Sequence, residues 1–382
     1  MLRAARWPRS GILFFLLAVT ACVAPLSAEQ AGGTYEDWLR RRDAVSRDPD
    51  VVRYHTFDGL RAAGDAVPNL AGDKAEPLAF GMEAAPGAAK DELRLVEGRW
   101  SSKKAVRLDQ GFFQSKAPDV TSAGFTAVLW FRKHGPGAHK GNGGTLNGML
   151  MAAGDGYWSG WRLHTGYPSK TIGFEIGRPQ PSHAVHVGTG PVADGVWHHL
   201  AATWDGREMR IYVDGDLGAA GPHAGPYAQT KGPFRVGFAG AGVGSAVLDV
   251  DEVVLYGRAL APEEVFQDVY YYAPLAKDLR ARLGVAGAAE ARKDHAAAER
   301  ELAAAASTAG LHADVAAALR LRRGGALRAQ GRTPVAAQEY ARVLDAPGMP
   351  DRLGRQAMEA MLVLLQEGAD RKSTRLNSSH TR

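Results

Sequence analysis

Between Val196 and Val213 apolar and polar side chains alternate with a period of two, so that Met209, Ile211 and Val213 share one face and Arg210, Tyr212 and Asp214 the other. Side chains on a strand alternate in this way, and the pattern predicts two strands, Val196 to Trp204 and Glu208 to Val213. Asp205-Gly206 supplies the turn between them, because glycine accepts the positive φ of a tight hairpin, and Asp214-Gly215 marks the next reversal. Shorter strand-like runs occur at Phe125 to His134, Thr171 to Gly177 and from Asp249 onward. Long loops at Arg61 to Leu93 and Gly135 to Gly148 separate them, which suits an antiparallel sandwich.

The period changes at Ala261-Pro262-Glu263-Glu264, where a proline and two acids open a helix. From there to Gly368 the pattern is helical. Alanine and leucine dominate Ala286 to Ala329, with Gly310 and Gly324-Gly325 as interruptions and Pro334, Pro347 and Pro350 as punctuation. Ahead of the strands, Tyr35 to Asp48 is charged and spaces Trp38, Leu39 and Val45 as a short amphipathic helix.

At the N-terminus, Arg3, Arg6 and Arg9 precede an apolar run from Gly11 to Ala21, the layout of a secretion signal. Two cleavage readings stand: Val19-Thr20-Ala21-Cys22 resembles a bacterial lipobox, and Leu26-Ser27-Ala28 suits ordinary signal peptidase. The lipobox reading is preferred because it accounts for the single cysteine and makes Cys22 the site of a lipid anchor. With one cysteine, this expected export product has no internal disulfide and depends on burial. Asp370 to His380, DRKSTRLNSSH, matches one reading frame of a common sequencing-library adapter and is excluded from fold reasoning. The expected organisation is a leader over 1–28, a linker with a short helix over 29–47, a sandwich over 48–272, a helical segment over 273–369 and an adapter-derived end over 370–382. The natural protein is expected to continue past Ala369.

The formal net charge is +5. Taking away the leader's three arginines and the net three positive charges from Asp370 onward leaves a body of about −1. Nucleic-acid binding needs a clustered basic face, which this balance does not provide, and no nucleic-acid motif is present.

The segment WHHLAATWDGREMRIYVDG resembles the core hairpin of laminin G-like domains, with the pattern W-H-x-L-A-x-T-W-D-G-x-x-x-x-I-Y-V-D-G. DPDVVRYHTFDG (Asp48 to Gly59) resembles the first strand of that family, FTAVLWFRKH its F-T-x-x-x-W-F strand, and DVDEVVLYGRALAPEEV (Asp249 to Val265) its closing strand. The resemblance spans Asp48 to Tyr272. It implies a concanavalin A-like, antiparallel β-sandwich jelly roll, followed here by an all-α segment. Gly324, Leu327, Ala336 and Tyr340, with Pro347 closing, resemble one tetratricopeptide helix pair; no clean second copy is found.

Hydrolases of this fold commonly carry E-x-D-x-x-E or E-x-D-x-E on a strand, and paired carboxylates are what glycoside hydrolysis requires. Thr171 to Gly177 offers Glu175 alone, read here as an exposed or capping residue, so no catalytic residue is assigned and the chain is read as not an enzyme. The resemblance also implies a structural calcium ion held by Asp58 and Asp251 between the terminal strands, completed by backbone carbonyls and water; the alternative is that Asp58 caps the Gly59 turn and Asp251 pairs with an arginine or a backbone amide. The pairs His183/His186 and His198/His199 invite a zinc reading, which strand geometry opposes because such neighbours point to opposite faces. Trp130, Trp161, Trp197 and Trp204 are read as core. Tyr157 and Trp158, flanked by glycines, are the candidates for an exposed ligand-binding pair.

These readings converge on a non-catalytic module outside the cytoplasm that binds a glycan or a cell-envelope protein, held to a membrane by lipid rather than by a transmembrane helix. A scaffold acting through its C-terminal helices and an accessory domain of a longer carbohydrate-active enzyme are the alternatives.

Overall fold

The computed structural model describes residues 33–61, 65–72, 76–82, 93–118, 124–137, 148–154, 158–166, 170–179, 185–223, 226–237, 244–270, 275–347 and 351–379. Two antiparallel sheets stack face to face. The first has the order β13 (Asp216–Pro222), β12 (Glu208–Val213), β11 (Trp197–Trp204), β6 (Phe125–Pro136), β15 (Ala246–Tyr256), β4 (Lys104–Leu108) and β3 (Arg94–Glu97). The strand β1 (Val51–Thr56) pairs with the far end of β15, beyond the stretch that β4 occupies. The second sheet has the order β10 (Val185–Pro191), β9 (Thr171–Ile176), β8 (Gly160–Thr165), β7 (Gly148–Gly154), β14 (Pro233–Gly237), β5 (Gly111–Pro118) and β2 (Ala79–Met82).

The hairpin read from the sequence is β11 and β12. Gly206 adopts φ +88° at its turn. At the following reversal Asp214 and Gly215 both have positive φ, +52° and +79°, as a tight hairpin turn matching the right-handed strand twist demands. Between the sheets, Phe125, Leu129, Leu200, Met209 and Ile211 meet Trp161, Leu163, Phe174 and Phe234 in one apolar core.

The outer face of the first sheet is buried as well. The chain covers it with α1 (Tyr35–Ser46), α2 (Pro262–Val269) and the helical layer α3 (Lys277–Ala291), α4 (His295–Ala306), α5 (Ala313–Ala329), α6 (Thr333–Leu344) and α7 (Asp351–Ser379). Trp130 and Trp197, expected with the other core tryptophans, are buried in this second cluster against Phe266, Leu327, Tyr340 and Leu353. They lie on the outer face because they alternate with residues such as Leu129 and Phe131 that point between the sheets. Tyr212, Ala201, Val254 and Val265 form a neighbouring cluster, so all eight residues of β11 are buried.

Polar contacts fasten the layers. Thr34 and Asp37 form a capping box that starts α1, and its Trp38, Arg41 and Val45 are buried. Trp38 Nε1 donates to Glu252 of β15 at 3.0 Å, and Arg41 pairs with Asp268 of α2 at 2.7 Å. Arg352 of α7 pairs with Asp216 and donates to the carbonyls of Asp214 and Gly215. Within the helical layer Gly324 lets the Tyr340 ring lie against α5, since a Cβ there would overlap the ring. No helix among the described residues is long and apolar enough to cross a membrane.

Candidate functional site

With one outer sheet face under helices, the chemistry on the other is the more informative. On β8, β9 and β10 the residues Trp161, Leu163, Ile172, Phe174, Ile176 and Val187 point into the core, which sends their neighbours outward. Two cross-strand rows result: Arg162, Glu175 and His186 are register partners, and so are His164, Gly173 and Gly188.

Glu175 is the centre of this patch. Its Oε2 accepts from Arg162 Nε at 2.7 Å, its Oε1 lies 3.0 Å from His164 Nε2, and His186 Nδ1 is 3.5 Å from the same oxygen. Burial opposes ionisation, but the bonds from His164 and His186 and the Arg162 charge together hold the Glu175 carboxyl well below the usual carboxylate range. The two imidazoles stack at 5.6 Å between centroids with 28° between planes. They do so above Gly173, where a Cβ would stand 2.6 Å from both rings, so the absence of a side chain is what admits the pair. The side chain of Glu175 is 12% exposed and that of His186 49%, which opens the cluster to solvent on the β10 side.

Glu175 is therefore neither the exposed nor the capping residue expected from the sequence. The missed signal is the register, which sets His164 and His186 beside it. His183 and Tyr157 lie outside the described residues, as does Cys22. Trp158 is half-buried in the segment leading into β8. His198 and His199 diverge: His198 Nδ1 meets Asp214 at 2.8 Å, and His199 Nε2 meets Asp268 at 3.0 Å.

Where calcium was expected between Asp58 and Asp251, the chain supplies cations of its own. Asp251 is completely buried; Lys103 Nζ pairs with its Oδ1, Arg99 reaches the same oxygen at 3.0 Å, and the Arg99 amide donates to Oδ2 at 2.9 Å. Burial works against the charge, yet Arg99 and Lys103 hold the Asp251 carboxyl below its ordinary value. Asp58 takes different partners, the Tyr35 hydroxyl at 3.3 Å and the Lys104 amide at 3.0 Å. A calcium ion needs roughly six to eight oxygens and at Asp251 would sit against an ammonium and a guanidinium. Glu252, next along β15, joins the same buried network through Arg99, Trp38 and the Tyr54 hydroxyl.

The two stacked sheets and their antiparallel order agree with a comparison against family models, in which residues 109–266 match the concanavalin A-like lectin/glucanases superfamily. The sandwich is a concanavalin A-like jelly roll. No curated protein matches the chain. Among solved structures, the concanavalin A-like region is similar to the binding domain of Paraclostridial Mosquitocidal Protein 1, at 14% identity and TM-score 0.44, covering 60% of this chain and 52% of that one. It is also similar to domain 4 of AbnA, a GH43 extracellular arabinanase from Geobacillus stearothermophilus solved with arabinotriose, at 16% identity and TM-score 0.42, covering 58% and 98%. A third is the binding domain of Botulinum neurotoxin DC in complex with rat synaptotagmin II, at 9% identity and TM-score 0.43, covering 58% and 51%. The chain thus spans about half the length of the first and third of these.

Proposed function

We propose that the concanavalin A-like domain is a non-catalytic binding module that works outside the cytoplasm and presents the outer face of β8, β9 and β10 to a glycan. The observation that carries this reading is the division of the two outer sheet faces: the chain's own helices bury one, while the other holds Arg162, Glu175 and the half-exposed His186 over two glycines. A guanidinium, an imidazole and a carboxylate in one plane offer donors and acceptors to sugar hydroxyls, and glycine positions let a ring come close to the sheet. Glu175, held ionised and paired with Arg162, is poorly suited to deliver a proton to a glycosidic oxygen. Trp158, half-buried ahead of β8, is taken as the candidate stacking group, with Tyr157 beside it in sequence. The lipobox-like segment supports export with anchoring through Cys22.

Binding of the purified chain to a broad panel of polysaccharides tests this. A saturable, competable hit that weakens in Arg162→Ala and His186→Ala supports it. A hit unchanged in both variants, or none across the panel, refutes this face as the glycan site.

A cavity of about 960 Å³ favours a second reading, in which a protein partner inserts between sandwich and helices. Its walls include Arg207 beside the β11–β12 turn, Arg210 of β12, Leu217 of β13, Arg280 and Gly284 of α3 and Arg322 of α5. Leu217→Glu should abolish capture of such a partner and leave glycan binding intact.

A further inference from the structure

We propose that His164, Glu175 and His186 bind a first-row divalent transition ion, zinc being the best fit. Three donor atoms, His164 Nε2, Glu175 Oε1 and His186 Nδ1, lie within 4.8 Å of one another, the shorter separations being 3.0 and 3.5 Å. A tetrahedral zinc ion with bonds of about 2.0–2.1 Å sets its ligand atoms roughly 3.4 Å apart, so the side chains need move by little to enclose one. Two imidazoles and one carboxylate are a borderline set that suits zinc and its neighbours in the first row, whereas calcium and magnesium ask for oxygen.

The backbone keeps this arrangement possible. His164 and His186 stand on β8 and β10 with Gly173 of β9 between them, and any side chain at Gly173 would drive both rings away. Arg162 holds Oε2 of Glu175 and so fixes the direction in which Oε1 points, the part that an outer partner plays for a ligating carboxylate. Its charge also weakens the site, so the ion binds reversibly. With three protein ligands, a coordination position stays open toward the half-exposed His186 side, available to water or to an oxygen of a bound ligand.

This deepens the reading of the β8–β10 face, and ion binding is measured with no glycan present, so each can fail without the other. The test is calorimetric titration of zinc into the full chain, free of any polyhistidine tag and stripped with chelator beforehand, with cobalt absorption as a second readout. The expected result is one saturable equivalent and a visible cobalt band of tetrahedral intensity. His186→Ala and Glu175→Gln should each weaken binding by about tenfold or more, and His312→Ala, on a surface away from the cluster, should leave it unchanged. Because His164 is buried and its alanine variant risks misfolding, the half-exposed His186 carries the decision. No saturable zinc binding, or binding that survives both His186→Ala and Glu175→Gln, overturns the proposal.

Discussion

Replacing Lys103 by methionine removes a buried ammonium while keeping most of the side chain's volume. Lys103 and Asp251 are both fully buried, and Nζ engages the Asp251 carboxylate and, at 3.0 Å, its backbone carbonyl. In the variant Asp251 keeps Arg99, by guanidinium and by amide, but loses its nearest cation. Breaking a buried ion pair from one side costs about 3–5 kcal/mol because the remaining charge is uncompensated, and the retained arginine places the expectation near the lower end. For a cooperative unit of about 200 residues, 3 kcal/mol lowers Tm by roughly 6–12 °C. Urea denaturation followed by tryptophan fluorescence reads this directly, since Lys103 Nζ lies 4.4 Å from the Trp38 ring centroid. The double variant Lys103→Met/Asp251→Leu should be less destabilised than the sum of its single changes, because removing both charges leaves neither unpaired. A loss below about 1 kcal/mol for Lys103→Met would refute the account. So would a chelator-induced fall in the Tm of the unaltered protein that Asp251→Ala erases, which would mean that a metal ion shares the carboxylate.

Three further outcomes follow from particular contacts. His55 is fully buried, donates through Nδ1 to the Pro68 carbonyl at 3.1 Å, and is held by burial and by Arg53 at a pKa of about 3. Stability should therefore be complete above the unfolded-state value of about 6.5 and decline as pH falls toward 3, by up to about 4 kcal/mol, and His55→Leu should flatten that part of a pH-stability profile. Gly173→Ala should cost about 1–3 kcal/mol in urea titrations by displacing the His164 and His186 rings, and should weaken zinc binding together with stability. Arg352→Ala should raise amide exchange in α7 and at the Asp214-Gly215 turn, which its guanidinium joins, without changing exchange in β8 to β10.

What could be read along the chain was local. Alternation and two Asp-Gly turns located β11 and β12, and Pro262 with its two acids located the start of α2, because in each case the decisive residues are within a few positions of one another. What could not be read depends on register and on which faces the helices cover. Alternation in β12 separated Tyr212 from Ile211, yet both are buried, since α2 and its neighbours supply a second interior that no short window encodes. Asp251 takes Lys103, a partner 148 positions away that the sequence does not single out. Glu175 was read as solitary for the same reason: its partners stand 13 positions before it, 11 before it and 11 after it, on strands that the fold brings alongside. Period two forbids His183 and His186 from sharing a face of one regular strand, and that inference is sound. It addresses neighbours in sequence, whereas a sheet builds its surface chemistry from neighbours across strands, and there the same geometry sets His186 on the face of His164. The patch that distinguishes this sandwich thus exists only once three strands are in register and the helices have taken the opposite side.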